Sequence, residues 1–196
     1  PHPNLRVLAP NVRFFVRNNV VGLFEQGDSQ SGIGDFVRLR AWLIAHLMWN
    51  PDEDETALID EFLQGYYGPA APHLKEYLDL INDAGQRDDL YLRCFMPDTS
   101  TWLPLDDLNR AVALFAKAEA AVAGDSTLAA RVRRERLPLD HVWVSRYTAL
   151  KRASLTGNLP FAGPDDPKAA CEEFVQRCRQ DGVGNWRENR PFDERA

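Results

Sequence analysis

The sequence is short of cysteine, of long apolar runs and of positive charge, and each shortage excludes something. Three cysteines occur, Cys94, Cys171 and Cys178. None stands in a CxxC or Cys/His spacing that holds zinc, so no metal site is expected, and nothing in the motifs calls for a cofactor. Cys171 and Cys178 fall on one predicted helix, where a rise of about 1.5 Å per residue puts their Cα atoms roughly 10 Å apart. A disulfide spans less than about 7 Å, so buried free thiols are the expectation. No apolar run approaches the roughly 20 residues that cross a bilayer, and Pro1-His2-Pro3 is no charged n-region leading into an apolar h-region. No membrane span is expected. Lys and Arg number 23 against 29 Asp and Glu, a formal charge of -6. Phosphates reward a basic surface, so nucleic acid is not an expected partner. The most basic stretch, Arg131–Arg136, is interrupted by Glu135 and reads as a solvated helix face.

What is present is ordinary globular material. Apolar residues make up 44% of the chain and ten Phe, five Trp and five Tyr are among them, enough for one substantial core and not the composition of a disordered chain. Residues 4–18 place Leu5, Leu8, Val12, Phe15 and Val16 at helical spacing, with Pro10 expected in the first turn and Asn18-Asn19 as the stop. Val20-Val21-Gly22-Leu23-Phe24 reads as a buried strand, being short, apolar and rich in β-branched and aromatic residues. A polar loop, Glu25 to Gly34, follows. A helix is then expected from about Asp35 to Met48, stopping at Asn50-Pro51.

From residue 54 the pattern is helix after helix. Asp54 caps a helix to Tyr67. Gly68 and Pro69 punctuate it, and the next helix runs to about Asp83. Leu90–Phe95 reads as a short extended piece. Asp106 is expected to cap a helix to Ala123, and Ser126 one to about Ser154 that Pro138 should kink or break. Pro164-Asp165-Asp166-Pro167 opens the last helix, to about Gln180. Residues 54–180 thus read as a bundle of about five helices.

The strand poses a difficulty, because a lone strand cannot satisfy its own backbone groups. Its partners are expected in sequence outside this chain. The chain begins at Pro1, and removal of a Met before Pro explains that as well as truncation does.

Chemistry is expected at the loop behind the strand, since functional side chains of α/β folds sit at the carboxyl ends of strands. Glu25, Gln26 and Asp28 are the candidates, able to hydrogen-bond sugar hydroxyls or to move a proton. Asp28 or Asp35 as a plain helix cap is the alternative. His2 is a further polar candidate, against its reading as an exposed terminal residue. No Ser/His/Asp set and no phosphate-binding glycine loop can be assembled. Trp42, Trp49, Tyr66 and Tyr67 read as core rather than as a sugar-stacking platform, and a Tyr hydroxyl is placed to tie down the corner at Tyr66-Tyr67-Gly68-Pro69.

Three segments carry a resemblance. Gly22-Leu23-Phe24-Glu25-Gln26-Gly27, Leu47-Met48-Trp49-Asn50-Pro51, and Glu61-Phe62-Leu63 with Gly65-Tyr66-Tyr67-Gly68 and Ala70-Ala71 resemble the bacterial family catalogued as domain of unknown function 4838. The resemblance covers residues 3–83. It implies a glycoside-hydrolase-like protein with a (β/α)8 (TIM) barrel and a helical C-terminal region, related to endo-β-N-acetylglucosaminidases. Val20–Phe24 would then be the last barrel strand and residues 35–48 the last barrel helix. Residues 1–50 would end the barrel domain and 51–196 form a helical C-terminal domain, giving a mainly α chain. The implied partners are a carbohydrate substrate and the missing N-terminal barrel portion of the parent chain. Retaining glycosidases place their two working groups about 5–5.5 Å apart; the resemblance implies that these lie upstream of Pro1. Glu25, Gln26, Asp28 and His2 would line the sugar site, and this chain alone would be inactive. A non-catalytic helical packing or interaction module is the competing expectation.

Overall fold

A computed structural model describes residues 1–27, 34–87, 91–92, 98–187 and 190–191. Seven α-helices account for most of it: α1 Leu5–Arg17, α2 Val37–Trp49, α3 Glu55–Tyr67, α4 Ala71–Gln86, α5 Leu105–Ala121, α6 Ser126–Gly157 and α7 Pro167–Gln180. A 3-10 turn, Gly68–Ala70, joins α3 to α4, and two short antiparallel strands, β1 Asn185–Arg187 and β2 Arg190–Pro191, follow α7. The protein is mainly helical, and α3 to α7 are the five helices that the pattern after residue 54 predicts.

The helix starts follow their caps. Asp54 accepts from the N–H groups of Thr56 (2.8 Å) and Ala57 (3.3 Å), and Asp166 from Lys168 (2.8 Å) and Ala169 (3.2 Å). These bonds satisfy donors that the first helical turn leaves free. Two expected caps move. Asp125, not Ser126, caps α6 through Thr127 and Leu128. Pro104 precedes α5, leaving Asp106 and Asp107 in its first turn, where acidic charge suits the helix dipole. Gly68 ends α3 at φ 53°, a backbone region that favours glycine.

Consecutive helices pack on one another, and α6 closes the bundle against α3, α5 and α7. One core runs from Leu5, Ala9 and Val12 of α1 through Leu39, Leu43 and Leu47 of α2 to Leu139, Val142 and Leu150 of α6. Its largest fully buried members include Phe36, Tyr67, Tyr77 and Phe115. Burying each such side chain contributes about 1.5–3 kcal/mol. A separate small cluster, Leu137, Phe174, Cys178 and Val183, holds α7 on α6. Arg13 fastens α1 to the turn after α2, donating to the carbonyls of Pro51 and Glu53 (each 2.9 Å) and to Glu55 (2.7 Å).

Both helical prolines lie inside their helices. Pro10 lies inside α1 on its exposed side rather than in the first turn. Pro138 sits within α6, which continues through it. Leu137, Leu139 and Val142 around Pro138 are all buried, so packing on both sides outweighs the missing backbone hydrogen bond.

The largest correction concerns Val20–Phe24. These residues carry no regular structure and form no ladder. A strand needs a neighbour to take its N–H and C=O groups, and the only paired strands among the described residues are β1 and β2. Of the barrel unit expected over residues 20–48, the described residues hold α2 and, before it, a segment over 20–27 without regular structure. Leu90 and residues 93–95 of the other expected extended piece lie outside the described residues.

Candidate functional site

The segment after α1 leaves most of its apolar side chains in the open. Val20 is exposed, Val21 fully so, and Phe24 is 87% exposed. Nearby in sequence, Val7, Phe14 and Val16 of α1 and Met48 and Trp49 of α2 are exposed as well, Trp49 at 90%. Among the described residues, the large apolar residues that are exposed outside residues 7–49 are Tyr91, Leu155 and Leu159. Scattered exposed apolar residues are normal, but this concentration is the composition of a surface that something covers. Trp49 thereby departs from the expected aromatic core. Tyr67 is fully buried, and Trp42 and Tyr66 are half-buried.

Glu25 and Gln26 stand exposed on the irregular segment after α1 and make no hydrogen bond or ion pair among the described residues. Asp28 lies outside the described residues. His2 is not a free terminal residue. Its N–H donates to Asp35 Oδ1 at 3.1 Å, and its carbonyl accepts from Arg40 Nη2 at 2.6 Å. The structure thus brings His2 to the downstream end of the Glu25–Gly34 loop, but gives it no contact with Glu25 or Gln26. Burial, and then the Arg40 guanidinium, lower the His2 imidazole from its ordinary value, which keeps it neutral at neutral pH.

Two buried carboxylates lie at the start of α2. Asp35 is buried and does not cap α2. It takes the His2 N–H and an Arg40 ion pair (3.2 Å), while Arg40 also donates to the Asp35 carbonyl. Burial pushes the Asp35 carboxyl up, but Arg40 and these hydrogen bonds outweigh it and hold it below the usual value. Phe36 precedes the first turn of α2 with φ 50° and no side-chain cap. Its N–H donates instead to Glu135 Oε2, 99 residues away on α6, at 2.8 Å. Tyr67 Oη donates to Glu135 Oε1 at 2.7 Å.

Glu135 is only 4% exposed, so the Arg131–Arg136 stretch is not simply a solvated face. Burial pushes the Glu135 carboxyl up, against the bonds from Tyr67 and Phe36 that favour the anion. The Tyr67 hydroxyl is raised by its own burial and then by Glu135, so it remains a donor. This carboxyl joins the end of α3, the start of α2 and the middle of α6. The hydroxyl expected to tie down the Tyr66-Tyr67-Gly68-Pro69 corner does so through Glu135. The glutamate itself was hidden from sequence reasoning among four arginines. Its one local signal is helical spacing, which puts it three residues after Val132 and four before Leu139.

Chemically, the arrangement sets the far end of the polar loop with a buried, hydrogen-bonded frame and leaves Glu25 and Gln26 open to a ligand or partner. Among the described residues no three His, Cys, Asp or Glu side chains converge as metal ligands would, and no helix is long and apolar enough to cross a membrane. No curated protein and no solved structure matches the chain. Residues 1–79, which hold α1, the exposed segment, the loop, α2 and α3, match the model of the family described as Domain of unknown function (DUF4838).

Proposed function

We propose that this chain is the C-terminal part of a carbohydrate-active glycoside hydrolase that acts on N-acetylglucosamine-containing glycans, inactive without the rest of its parent. The observation that carries the reading is the apolar surface of residues 7–49. Val7, Phe14, Val16, Val21, Phe24, Met48 and Trp49 are all solvent-exposed here. They lie within the family-matched stretch, where the resemblance implies the last βα unit of a barrel. In that setting Val20–Phe24 gains neighbouring strands, and the exposed α1 and α2 residues pack on the barrel. Glu25, Gln26, Asp28 and His2 then border the sugar site at the carboxyl end of the last strand.

The same surface serves a non-catalytic packing module as readily, and the isolation of Glu25 and Gln26 favours that second reading. Assays of the parent chain on N-glycans and aryl N-acetylglucosaminides separate the two. The glycosidase reading expects turnover by the parent, loss of kcat/KM in Glu25→Gln and Gln26→Ala, and none by residues 1–196 alone. A parent inert on every such substrate supports the packing module. Wild-type kinetics in both variants remove the loop from the reaction.

A further inference from the structure

Two arginines from different helices meet at one tyrosine ring near the start of α2. Arg131 of α6 stands over the Tyr66 ring with its Cζ 4.1 Å from the centroid, and Arg38 of α2 lies 5.9 Å from the same centroid. Arg131 Nη1 also donates to the Tyr66 carbonyl at 2.8 Å. Phe62, four residues earlier on α3, stacks on Tyr66 at 5.1 Å. Ring and guanidinium are thus held together from α3 and α6.

Neither arginine has a carboxylate partner among the described residues. The sequence puts one close to each. Glu135 follows Arg131 by four residues on α6, a spacing at which helical ion pairs form, and Asp35 precedes Arg38 by three. Both carboxylates are committed elsewhere. Asp35 holds Arg40 and the His2 N–H, and Glu135 turns its two oxygens to the Phe36 N–H and the Tyr67 hydroxyl. Arg38 is near enough to Glu135 to favour its anion, but that carboxylate is 4% exposed and bonds neither arginine. Arg38 also stands in the first turn of α2, at the positive end of the helix dipole, where no acidic residue offsets it. Two cations brought together in this way gain from an anion supplied from outside.

The donors left over are reachable. Arg38 is exposed. Arg131 is half-buried, and its Nε and Nη2 bond nothing yet are not sealed from solvent. Those two nitrogens are the side-on fork of a guanidinium, which grips two oxygens of one anion. The Tyr66 hydroxyl is likewise unpartnered and open. A flat carboxylate is filled by one fork. A tetrahedral dianion presents oxygens in several directions and matches two cations and a hydroxyl.

We propose that Arg38, Arg131 and the Tyr66 hydroxyl form a binding site for a phosphoryl group, free or as a sugar ester, where α2, α3 and α6 meet. The site rests on side chains of this chain and not on the glycosidase reading, so either can fail without the other.

The test is NMR of this chain at constant ionic strength and about pH 7.5, where a phosphate is mostly the dianion. Inorganic phosphate and glucose 6-phosphate are the ligands, and acetate and glucose the controls. The Arg131 Nε–H signal is expected to shift saturably with both phosphates, at a Kd of order 1 mM for ligands so small. Tighter binding of glucose 6-phosphate supports the sugar ester as the source, and tighter binding of phosphate supports the free anion. For variants the backbone amides of Val37 and Tyr66 report. Arg131→Gln should weaken binding at least about tenfold. Arg38→Gln, at an exposed position, should weaken it several-fold with an unchanged circular-dichroism melt. Arg152→Gln, exposed and about 30 Å along α6 from Arg131, should bind as wild type does. The proposal is overturned if neither phosphate shifts Arg131 saturably, if acetate binds as tightly, or if Arg38→Gln binds as wild type does. It is equally overturned if Arg152→Gln weakens binding as much as Arg38→Gln, which reduces the effect to net charge.

Discussion

Replacing Glu135 probes the frame behind the loop most directly. In Glu135→Ala the Tyr67 hydroxyl and the Phe36 N–H, now 2.7 and 2.8 Å from carboxylate oxygens, both lose their acceptor in the core. Each stranded donor costs about 1–3 kcal/mol, and the vacated space adds to that. Relief from burying the carboxyl offsets part. The expected net loss is about 2–5 kcal/mol, a Tm drop of about 2–4 °C for each kcal/mol in a chain of this size. Glu135→Gln keeps an acceptor for Phe36 and offers its NH2 to the Tyr67 oxygen, so about 1 kcal/mol or less is expected.

The pH dependence separates charge from shape. The Glu135 carboxyl is raised in the folded protein above its ordinary 4.5. Its contribution to stability is therefore full below that value and is lost as pH rises through the folded one. Asp35 is held below 3.8, so its contribution is present above that value and is lost as pH falls. Urea midpoints measured across this range should decline on both sides in wild type. Glu135→Gln should flatten only the limb above about 4.5, and Asp35→Asn only the acid limb. An Ala variant within about 0.5 kcal/mol of wild type, or a Gln variant with an unchanged upper limb, refutes the role assigned to Glu135.

Two further outcomes follow from local geometry. Asp54→Ala, Asp125→Ala and Asp166→Ala should each cost about 0.5–2 kcal/mol in urea denaturation, and a set of neutral results would remove these caps from the account. Cys171 is exposed whereas Cys178 is buried, with burial pushing its thiol up to about 11. A thiol reagent on the native chain should therefore label Cys171 far faster than Cys178. Similar rates would mean that α7 is not held on α6 as described.

Much of the helical layout is legible in the sequence. Asp54 caps where its spacing says, Gly68 stops α3, the last helix opens at the Pro164–Pro167 stretch, and five helices follow residue 54, because capping and 3.6-residue periodicity are local properties. Cys171 and Cys178 stay unpaired for an equally local reason, their separation along one helix. Local pattern fails where a partner decides the outcome. Val20–Phe24 has the composition of a buried strand, but composition supplies no neighbour, and without one the segment stays irregular and mostly exposed. Pro138 has the local signature of a kink or a break, and the break does not occur, because the side chains flanking it are buried and α6 runs through. Glu135 looked like the solvated interruption of a basic run. Only the approach of Tyr67 and of Phe36, 68 and 99 residues away in the chain, makes it the buried acceptor that joins three helices. The sequence by itself determined roughly where most of the helices lie. The tertiary structure decided which polar groups are buried together and which apolar face is left uncovered, because both depend on contacts between residues far apart in the chain.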